Sequence, residues 1–353
     1  MRRWLAPALL LLTAAPPAAF AQGFTRGDPV PTTMPLGNRT GDPTVDMPPG
    51  QTLLSAFGER PVFSPNGRKI AFIGRSYGDA FEYDLATKRI RNLTSHAPHE
   101  GFLRVHYLAD GSYLLLGPHL PGKTREETRF GRIEMFWMDA AASAPPVPLK
   151  MGLFEGVAVS RNDNRIAWTQ MKLEGTRPVA TVVRTGRVAV RDGSAVLEDI
   201  RDVTTTSDCF VEAQDFLPGD EGLLMPCYHF GSMPGGAATE VVSVDFASGK
   251  LTRYPTPPTL YGEVEGIFPD GRRTLVECAQ DRSAGMDICV LDLNPAKPRY
   301  SRMTNIVEYG RWKYGNPVVS PDGRWIAAQV GPADVPDAGV GQGIVLMKLA
   351  PGF

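Results

Sequence analysis

Glutamates recur at one position ahead of a repeated turn in this 353-residue chain, and they are its best-placed candidates for chemistry. Glu59 lies six residues before Pro65, and Glu100 lies near the same place in a less regular repeat. The equivalent positions of later repeats are occupied by Glu155, Glu212 and Glu263. One more glutamate, Glu265, lies two residues after Glu263. Carboxylates that are brought together repel one another unless a positive charge is close.

Two interpretations of these glutamates follow from that repulsion. They form a cation site for Ca²⁺, another metal or an amine-bearing ligand, because carboxylate oxygens suit such ions. Alternatively, they are inherited with the repeat and each is paired with a neighbouring arginine, such as Arg60 or Arg104. The sequence identifies no cofactor with certainty, and Ca²⁺ or a transition metal would suit these residues.

Three histidines are candidate metal ligands on the same face as the glutamates. His99 lies in a link between repeats, whereas His119 and His229 follow second strands. Imidazole with carboxylate binds a transition metal or supplies a general base. Their spacing matches no known ligand motif, so the alternative is a set of separate surface histidines.

Four cysteines in a chain with an export signal indicate two disulfides. Four cysteines allow three pairings. Local geometry favours Cys209–Cys227 and Cys278–Cys289, because each pair flanks a turn signal. These cysteines are expected to be structural.

Repeated turns must position all of these residues. One aligned position of the repeated turn recurs every 44 to 57 residues, at Gly67, Gly111, Asp163, Asp220, Gly271 and Gly323. Proline presets φ, Asp or Asn caps the turn and glycine supplies a positive φ where the chain reverses. Apolar strands follow each turn, which predicts an all-β, six-bladed β-propeller of four-stranded blades. The last blade lacks a fourth strand, so we expect residues 52–54 to close the ring by pairing with residues 343–349.

The turns resemble those of the TolB-like (PD40/WD40-like) propeller repeats. The motifs that carry the resemblance are Ser64-Pro65-Asn66-Gly67, Pro269-Asp270-Gly271 and Ser320-Pro321-Asp322-Gly323, with later Asp-Leu and Leu-Thr pairs such as Asp84-Leu85 and Leu93-Thr94. Only residues 22–56 lie between the expected signal peptide and the first repeat, so we expect no α/β domain of the kind that precedes the propeller in TolB. The resemblance implies a propeller that acts as a binding module.

Composition and the first residues indicate the compartment. A net charge of −1 excludes the strongly basic character of a nucleic-acid binder. Residues 1–21 have the charged start, short apolar run and small-residue cleavage site of a signal peptide. We expect residues 22–56 to form a Pro/Gly-rich extension and residues 57–353 the propeller. No later apolar stretch is long enough to span a membrane, so a periplasmic or secreted protein is predicted.

Function follows from the face that the glutamates and histidines share. Loops between strands two and three and links between blades must lie opposite the repeated turns, and residues 117–132 insert a polar segment there. We expect a binding or scaffold module that uses this face for an envelope protein, an envelope polymer or a small-molecule ligand. The alternative is a periplasmic metal-dependent lyase or hydrolase that acts on a saccharide or a small aromatic substrate. The sequence contains no nucleophile elbow, phosphate loop or His-Glu-x-x-His motif.

Overall fold

The computed structural model describes residues 37, 39–175, 177–233, 236–257, 260–335, 342–351 and 353. The predicted signal peptide (residues 1–21) and residues 22–36 lie outside the described residues. Within the described part of the chain, no helix has both the length and the apolar character needed to cross a membrane.

Six antiparallel sheets form the blades of a ring, as the repeats predicted. The chain enters with β1 (Gln51–Ser55), and the strands of blades one to three follow in chain order. Blade one contains β2 (Glu59–Phe63), β3 (Lys69–Ile73), β4 (Ala80–Asp84) and β5 (Arg89–Asn92). Blade two contains β6 (Arg104–Tyr107), β7 (Tyr113–Pro118), β8 (Ile133–Met138) and β9 (Val147–Gly152). Blade three contains β10 (Val157–Val159), β11 (Arg165–Glu174), β12 (Arg177–Arg191) and β13 (Ser194–Thr206).

The remaining blades keep the same order, with the first strand of each innermost. Blade four contains β14 (Phe210–Val211), β15 (Asp215–Phe216), β16 (Gly222–Met233), β17 (Gly236–Asp245) and β18 (Leu251–Tyr254). Blade five contains β19 (Tyr261–Ile267), β20 (Arg273–Ala279), β21 (Asp287–Asp292) and β22 (Tyr300–Arg302). Blade six contains β23 (Trp312–Val319), β24 (Trp325–Pro332) and β25 (Ile344–Lys348). Among the described residues, one helix, α1 (Arg125–Gly131), and two 3₁₀ turns, Pro218–Asp220 and Ile306–Tyr309, interrupt the strands.

The repeated turns have the geometry that their residues predict. Gly67 adopts a φ of 67° and donates its N–H to the Ser64 carbonyl at 2.8 Å. The Asn66 side chain accepts from the Arg68 N–H at 3.0 Å and so caps the turn. These turns, which join strands one and two, define the turn face of the disc. The opposite face carries the loops between strands two and three and the links between blades, and we call it the link face.

Strand β1 supplies the fourth strand of blade six. It pairs antiparallel with β25, with Gln51 opposite Met347 and Leu53 opposite Val345. Leu53 also packs against the apolar cluster shared by blades five and six. The edge of β25 is therefore covered by a neighbouring strand. We expect this strand to contribute to the stability of the ring.

Apolar side chains fill every interface between adjacent blades. The cluster between blades two and three includes Leu114, Trp137 and Trp168, and the cluster between blades six and one includes Phe72 and Ala327. The other four interfaces carry equivalent clusters. Burial of these interfaces provides the main driving force that holds the blades together.

Both predicted disulfides are present. Cys209 and Cys227 link the segment before β14 to β16, with their Cα atoms 5.5 Å apart. Cys278 and Cys289 link the neighbouring strands β20 and β21, with a Cα separation of 5.9 Å. The described residues therefore include no free cysteine. All four cysteines are structural, as the sequence indicated.

Candidate functional site

Bulges in the innermost strands shape the central channel. In blades one and six, the pairing register shifts between Glu59 and Val62 and between Gly315 and Val318. A proline follows the bulged residue in both blades, and proline cannot donate to the strand ladder. Arg60 and Asn316 occupy these equivalent places with φ values of 55° and 46°. A bulge redirects side chains, and both residues line the channel.

Two cavities of about 170 Å³ each occupy the channel. The link-face pocket is lined by residues of blades one to six, including Arg129, Phe130, Glu155, Glu212, Tyr228, Phe230, Tyr261, Glu263 and Glu277. The turn-face pocket is lined by Val62, Val105, His106, Arg161, Gln214, Asp215, Glu265 and others. Arg60, Arg104 and Asn316 line both pockets and form the waist between them.

The channel contains most of the glutamates that the repeat alignment singled out, but they are buried. Glu59, Glu155, Glu212, Glu263 and Glu265 are each at most 9% exposed. The link-face pocket is lined by Glu155, Glu212 and Glu263, and the turn-face pocket by Glu265. Glu100 is exposed and lines neither pocket. The alignment therefore brought four of these glutamates to the pockets of the channel, although Glu155 and Glu212 lie just outside the innermost strands and Glu100 lies apart from both pockets.

Arginines pair with two of the buried glutamates. The Arg104 Nη2 atom lies 2.9 Å from a Glu212 carboxylate oxygen, and the Arg129 Nε atom lies 2.6 Å from Glu155. Burial disfavours the charged form of Arg129, but the charge and hydrogen bond of Glu155 outweigh it and raise the pKa of Arg129. Burial, with Glu155 and Glu263 nearby, raises the pKa of Glu212 to about 8 despite Arg104. Glu155 and Glu212 thus each lie against an arginine, which is the arrangement of the second interpretation, but Glu212 holds its proton to a higher pH than a free glutamate does.

Helix α1 carries Arg129, a residue that the repeat pattern does not predict. Thr124 caps the helix by accepting the Glu127 N–H at 3.0 Å, and acidic residues occupy the first turn. The helix lies in the polar insertion between strands two and three of blade two, on the link face. Its last turn places Arg129 against Glu155.

Three carboxyl groups form a tight cluster at the side of blade five. Oxygens of Glu263, Glu265 and Glu277 all lie within 4.8 Å of one another. Burial and repulsion from Glu277 and Glu263 raise the pKa of Glu265 well above its usual range. Burial and the charge of Glu263 raise the pKa of Glu277 to about 7. Glu265 and Glu277 therefore hold their protons to a higher pH than free glutamates do, unless a cation replaces the protons.

Glu277 was missed by the repeat alignment. It lies on β20 directly opposite Glu263 of β19. Counting outwards from the turn at Gly271 would have placed Cys278 opposite Glu263, because a bulge between Val264 and Ile267 shifts the pairing by one residue. Asn316 of the waist supports the cluster by donating its N–H to Glu277 at 2.6 Å and its side-chain amide to Glu265 at 3.1 Å.

Aromatic side chains surround the link-face pocket. Phe130 and Phe230 are 48% and 57% exposed, which is unusual for phenylalanine. Phe130 stacks on Phe154 with ring centroids 6.1 Å apart, and Phe230 stacks on Tyr228 at 5.6 Å. The Tyr228 hydroxyl donates to Glu212 at 3.1 Å, so the aromatic rim is joined directly to the carboxyl groups below it. The pocket presents an apolar entrance above a charged floor.

The three candidate histidines do not converge in the described part of the chain. His99 lies 2.9 Å from Asp79 through its Nε2 atom, and His119 is exposed. His229 lies 3.8 Å from Glu240, beside a Cys227 sulfur that is already bonded to Cys209. Among the described residues, no set of three potential ligand atoms contains two of these histidines.

Comparison with known proteins supports the fold and nothing finer. No protein-family model matches the chain. No curated protein matches it either. The β-propeller domain of Cps50 (Swd1) from Myceliophteria thermophila matches with a TM-score of 0.51 and 12% identity, over 85% of this chain and 100% of that domain. A chain of a mitotic checkpoint complex matches with a TM-score of 0.51 and 11% identity, over 99% of each chain.

An oligogalacturonate lyase in complex with manganese also matches, with a TM-score of 0.49 and 14% identity, over 82% of this chain and 76% of the lyase. At such identities a likeness shows the fold alone, because one fold hosts many unrelated functions. By its strand pairing the chain is a six-bladed β-propeller, and the match to the Cps50 (Swd1) domain agrees with the propeller fold.

Proposed function

We propose that this protein is an exported, TolB-like binding propeller whose link-face pocket holds a basic group of an envelope protein, an envelope polymer or a small molecule. The observation that carries the proposal is the acidic cluster of Glu263, Glu265 and Glu277 beneath an exposed aromatic rim. A bound cation would replace protons that the buried carboxyl groups otherwise retain. The apolar part of the ligand would pack on Phe130 and Phe230.

The charges in the pocket favour a basic ligand over an acidic one. Arg104 and Arg129 are already engaged by Glu212 and Glu155. The acidic cluster receives the neutral donors Asn316 and Gln214, and the charges of Arg282 and Lys313 oppose the rise in the pKa of Glu277 without cancelling it. A primary amine or guanidinium supplies both the charge and the hydrogen-bond donors that carboxylates accept.

Titration calorimetry with a lysine-rich peptide, spermidine and CaCl₂ tests the proposal. We expect at least one of these probes to bind, and the double variant Phe130→Ala with Phe230→Ala to weaken binding of the organic probes at least tenfold. Leu173→Ala is the matched control, because Leu173 is 53% exposed on the blade-three hairpin and lies in neither pocket. Absence of binding by all three probes, or equal binding by the double variant, would contradict the proposal.

Export is the second part of the proposal. It is supported by the leader-like residues 1–21 and by two disulfides, which persist in oxidising compartments. Residues 22–56 would form an extension before the propeller of residues 57–353. The mature protein would lie in the periplasm or in the medium. N-terminal sequencing of the exported protein should begin at Gln22. An intact Met1 on a cytoplasmic protein would contradict export.

A lyase or hydrolase that acts on a saccharide or a small aromatic substrate is the second candidate function. One observation favours it: the pKa of Glu277 is raised to about 7 and that of Glu212 to about 8, and both residues line a pocket. A carboxyl group that titrates near neutral pH suits general acid–base catalysis. Metal analysis of the purified protein separates the metal-dependent form of this candidate from the binding module. Stoichiometric manganese, zinc or iron would favour the enzyme.

A further inference from the structure

Buried nitrogen atoms without partners lie at the waist of the channel and in the turn-face pocket. They are Nε and Nη1 of Arg60, Nε of Arg104 and Nε2 of His106. Arg60 and Arg104 are only 5% and 7% exposed. A buried polar atom without a hydrogen bond is costly, so several in one cavity need an explanation. All three side chains line the turn-face pocket.

The neighbourhood of Arg60 is positive. The pKa of Arg60 is lowered to about 10, mainly by burial and then by the charges of Arg104 and Arg129. The charges of Glu59 and Glu155 act in the opposite direction, but their effect on the pKa is smaller. Arg60 nevertheless stays protonated at neutral pH. Its guanidinium group is therefore a buried positive charge in a positive field, which is the arrangement that an anion relieves.

His106 adds a neutral donor to this positive site. Burial, with Arg104 and Arg60 nearby, lowers the pKa of His106 to about 3, so the ring is uncharged at neutral pH. A neutral imidazole carries one N–H, and either nitrogen can hold it. An acceptor in the pocket would favour the form with the proton on Nε2.

The carboxyl groups that face the same pocket do not cancel this charge. Asp215 accepts from the Arg161 guanidinium at 2.6 Å and from the Ile267 N–H at 2.8 Å, so its charge is already balanced. Burial and its acidic neighbours raise the pKa of Glu265 well above its usual range, which favours its uncharged form. The charges of Glu59 and Glu155 raise the pKa of Arg60 less than Arg104 and Arg129 lower it, and the buried Nε and Nη1 atoms of Arg60 donate no hydrogen bond among the described residues.

We propose that the turn-face pocket binds a small oxyanion, a carboxylate or a phosphate group, between Arg60, Arg104 and His106. A guanidinium group donates to two oxygens of such an anion at once, and Arg104 and His106 supply the remaining donors. The cavity of about 170 Å³ limits the occupant to a few non-hydrogen atoms. Val62, Val105 and Val318 form apolar walls that would accept a short hydrocarbon tail. This site lies beyond the link-face pocket and does not depend on the ligand proposed there.

Thermal unfolding and calorimetry of the exported chain with sodium acetate, sodium phosphate and sodium chloride at equal ionic strength test the site. We expect acetate or phosphate to raise the Tm more than chloride does, and the stronger of the two identifies the anion class. Arg60→Gln should weaken that binding at least tenfold. Arg89→Gln is the control, since Arg89 is exposed on β5 and lies in neither pocket. Equal effects of all three salts, or unchanged binding by Arg60→Gln, would overturn the proposal.

NMR of His106 provides a test that does not require a variant to fold. With ¹⁵N-labelled histidine, anion binding should shift the His106 ring nitrogens towards the form protonated on Nε2. The double variant Phe130→Ala with Phe230→Ala should show the same shift, because it alters only the link-face pocket. Ring signals that do not respond to saturating acetate or phosphate would overturn the site even if the link-face proposal holds.

Discussion

Stability should fall as the pH rises from 5 to 8, because the folded channel holds protons that the unfolded chain releases. Glu277 and Glu212 have an ordinary pKa of 4.5, which folding raises to about 7 and about 8. Between these values the folded state binds more protons than the unfolded state, so ionisation at higher pH opposes folding. The contribution is fully present below pH 4.5 and is lost as the pH passes through 7 and 8.

The size of this effect follows from the two pKa values. One pKa unit corresponds to about 1.4 kcal/mol. Glu277 alone then accounts for roughly 3 kcal/mol and Glu212 for roughly 5 kcal/mol, as upper limits. Because the carboxyl groups interact, their effects are not additive. Asp287, whose pKa burial raises to about 6, adds to the loss, whereas His106, whose pKa burial lowers to about 3, gains stability as the pH rises from 5 and offsets part of the loss. We expect a net loss on the order of 5 kcal/mol between pH 5 and pH 8.

Urea unfolding followed by tryptophan fluorescence at pH 5, 6, 7 and 8 measures this loss. Glu277→Gln should reduce the pH dependence by up to about 3 kcal/mol, because glutamine keeps the acceptor for the Asn316 N–H but never ionises. Glu221→Gln is the control, since Glu221 is exposed and lies in neither pocket. A free energy of unfolding that is constant or rises between pH 5 and pH 8 would refute the reasoning.

Three further predictions concern closure, disulfides and metal binding. Deleting residues 22–56 should lower the Tm markedly, because it removes the strand that pairs with β25; an unchanged Tm would exclude a role for that strand in closing the ring. Under denaturing, non-reducing conditions thiol titration should detect no free thiol, and reduction should cost about 3 kcal/mol for each disulfide; four titratable thiols would contradict the pairing. A divalent ion such as Ca²⁺ should raise the Tm, and the double variant Glu263→Gln with Glu277→Gln should abolish the rise. The double variant Glu155→Gln with Glu212→Gln should retain the rise, because arginines already pair with those two residues. The opposite pattern would place the ion elsewhere.

The fold was predictable because its signals are local. Each turn needs particular residues, such as Asn66 and Gly67, and these recur at the spacing of a propeller blade. The cysteine pairs were predictable for the same reason, since each flanks one turn. The grouping of Glu155, Glu212 and Glu263 at one pocket is consistent with their fixed distance to the turn, but their burial was not predicted.

The chemistry of the site was less predictable, because it depends on contacts between blades. Arg129 reaches Glu155 from a helix in a loop insertion, and no repeat position encodes that contact. Arg60 and Asn316 are redirected by bulges, and each is followed by a proline. The proline is visible in the sequence, but the register shift exists only between paired strands. The candidate histidines share a face by topology, yet topology does not set the distances between them.

Photocrosslinking in the producing cell tests most directly which face of the propeller binds. A benzophenone amino acid replaces Phe230 on the link face in one variant and Asp322, an exposed turn-face residue, in the other. If the link face binds, we expect a covalent adduct with a partner or ligand from position 230 and none from position 322. An adduct from position 322 alone, or from neither position, would contradict the claim that the link face is the binding surface.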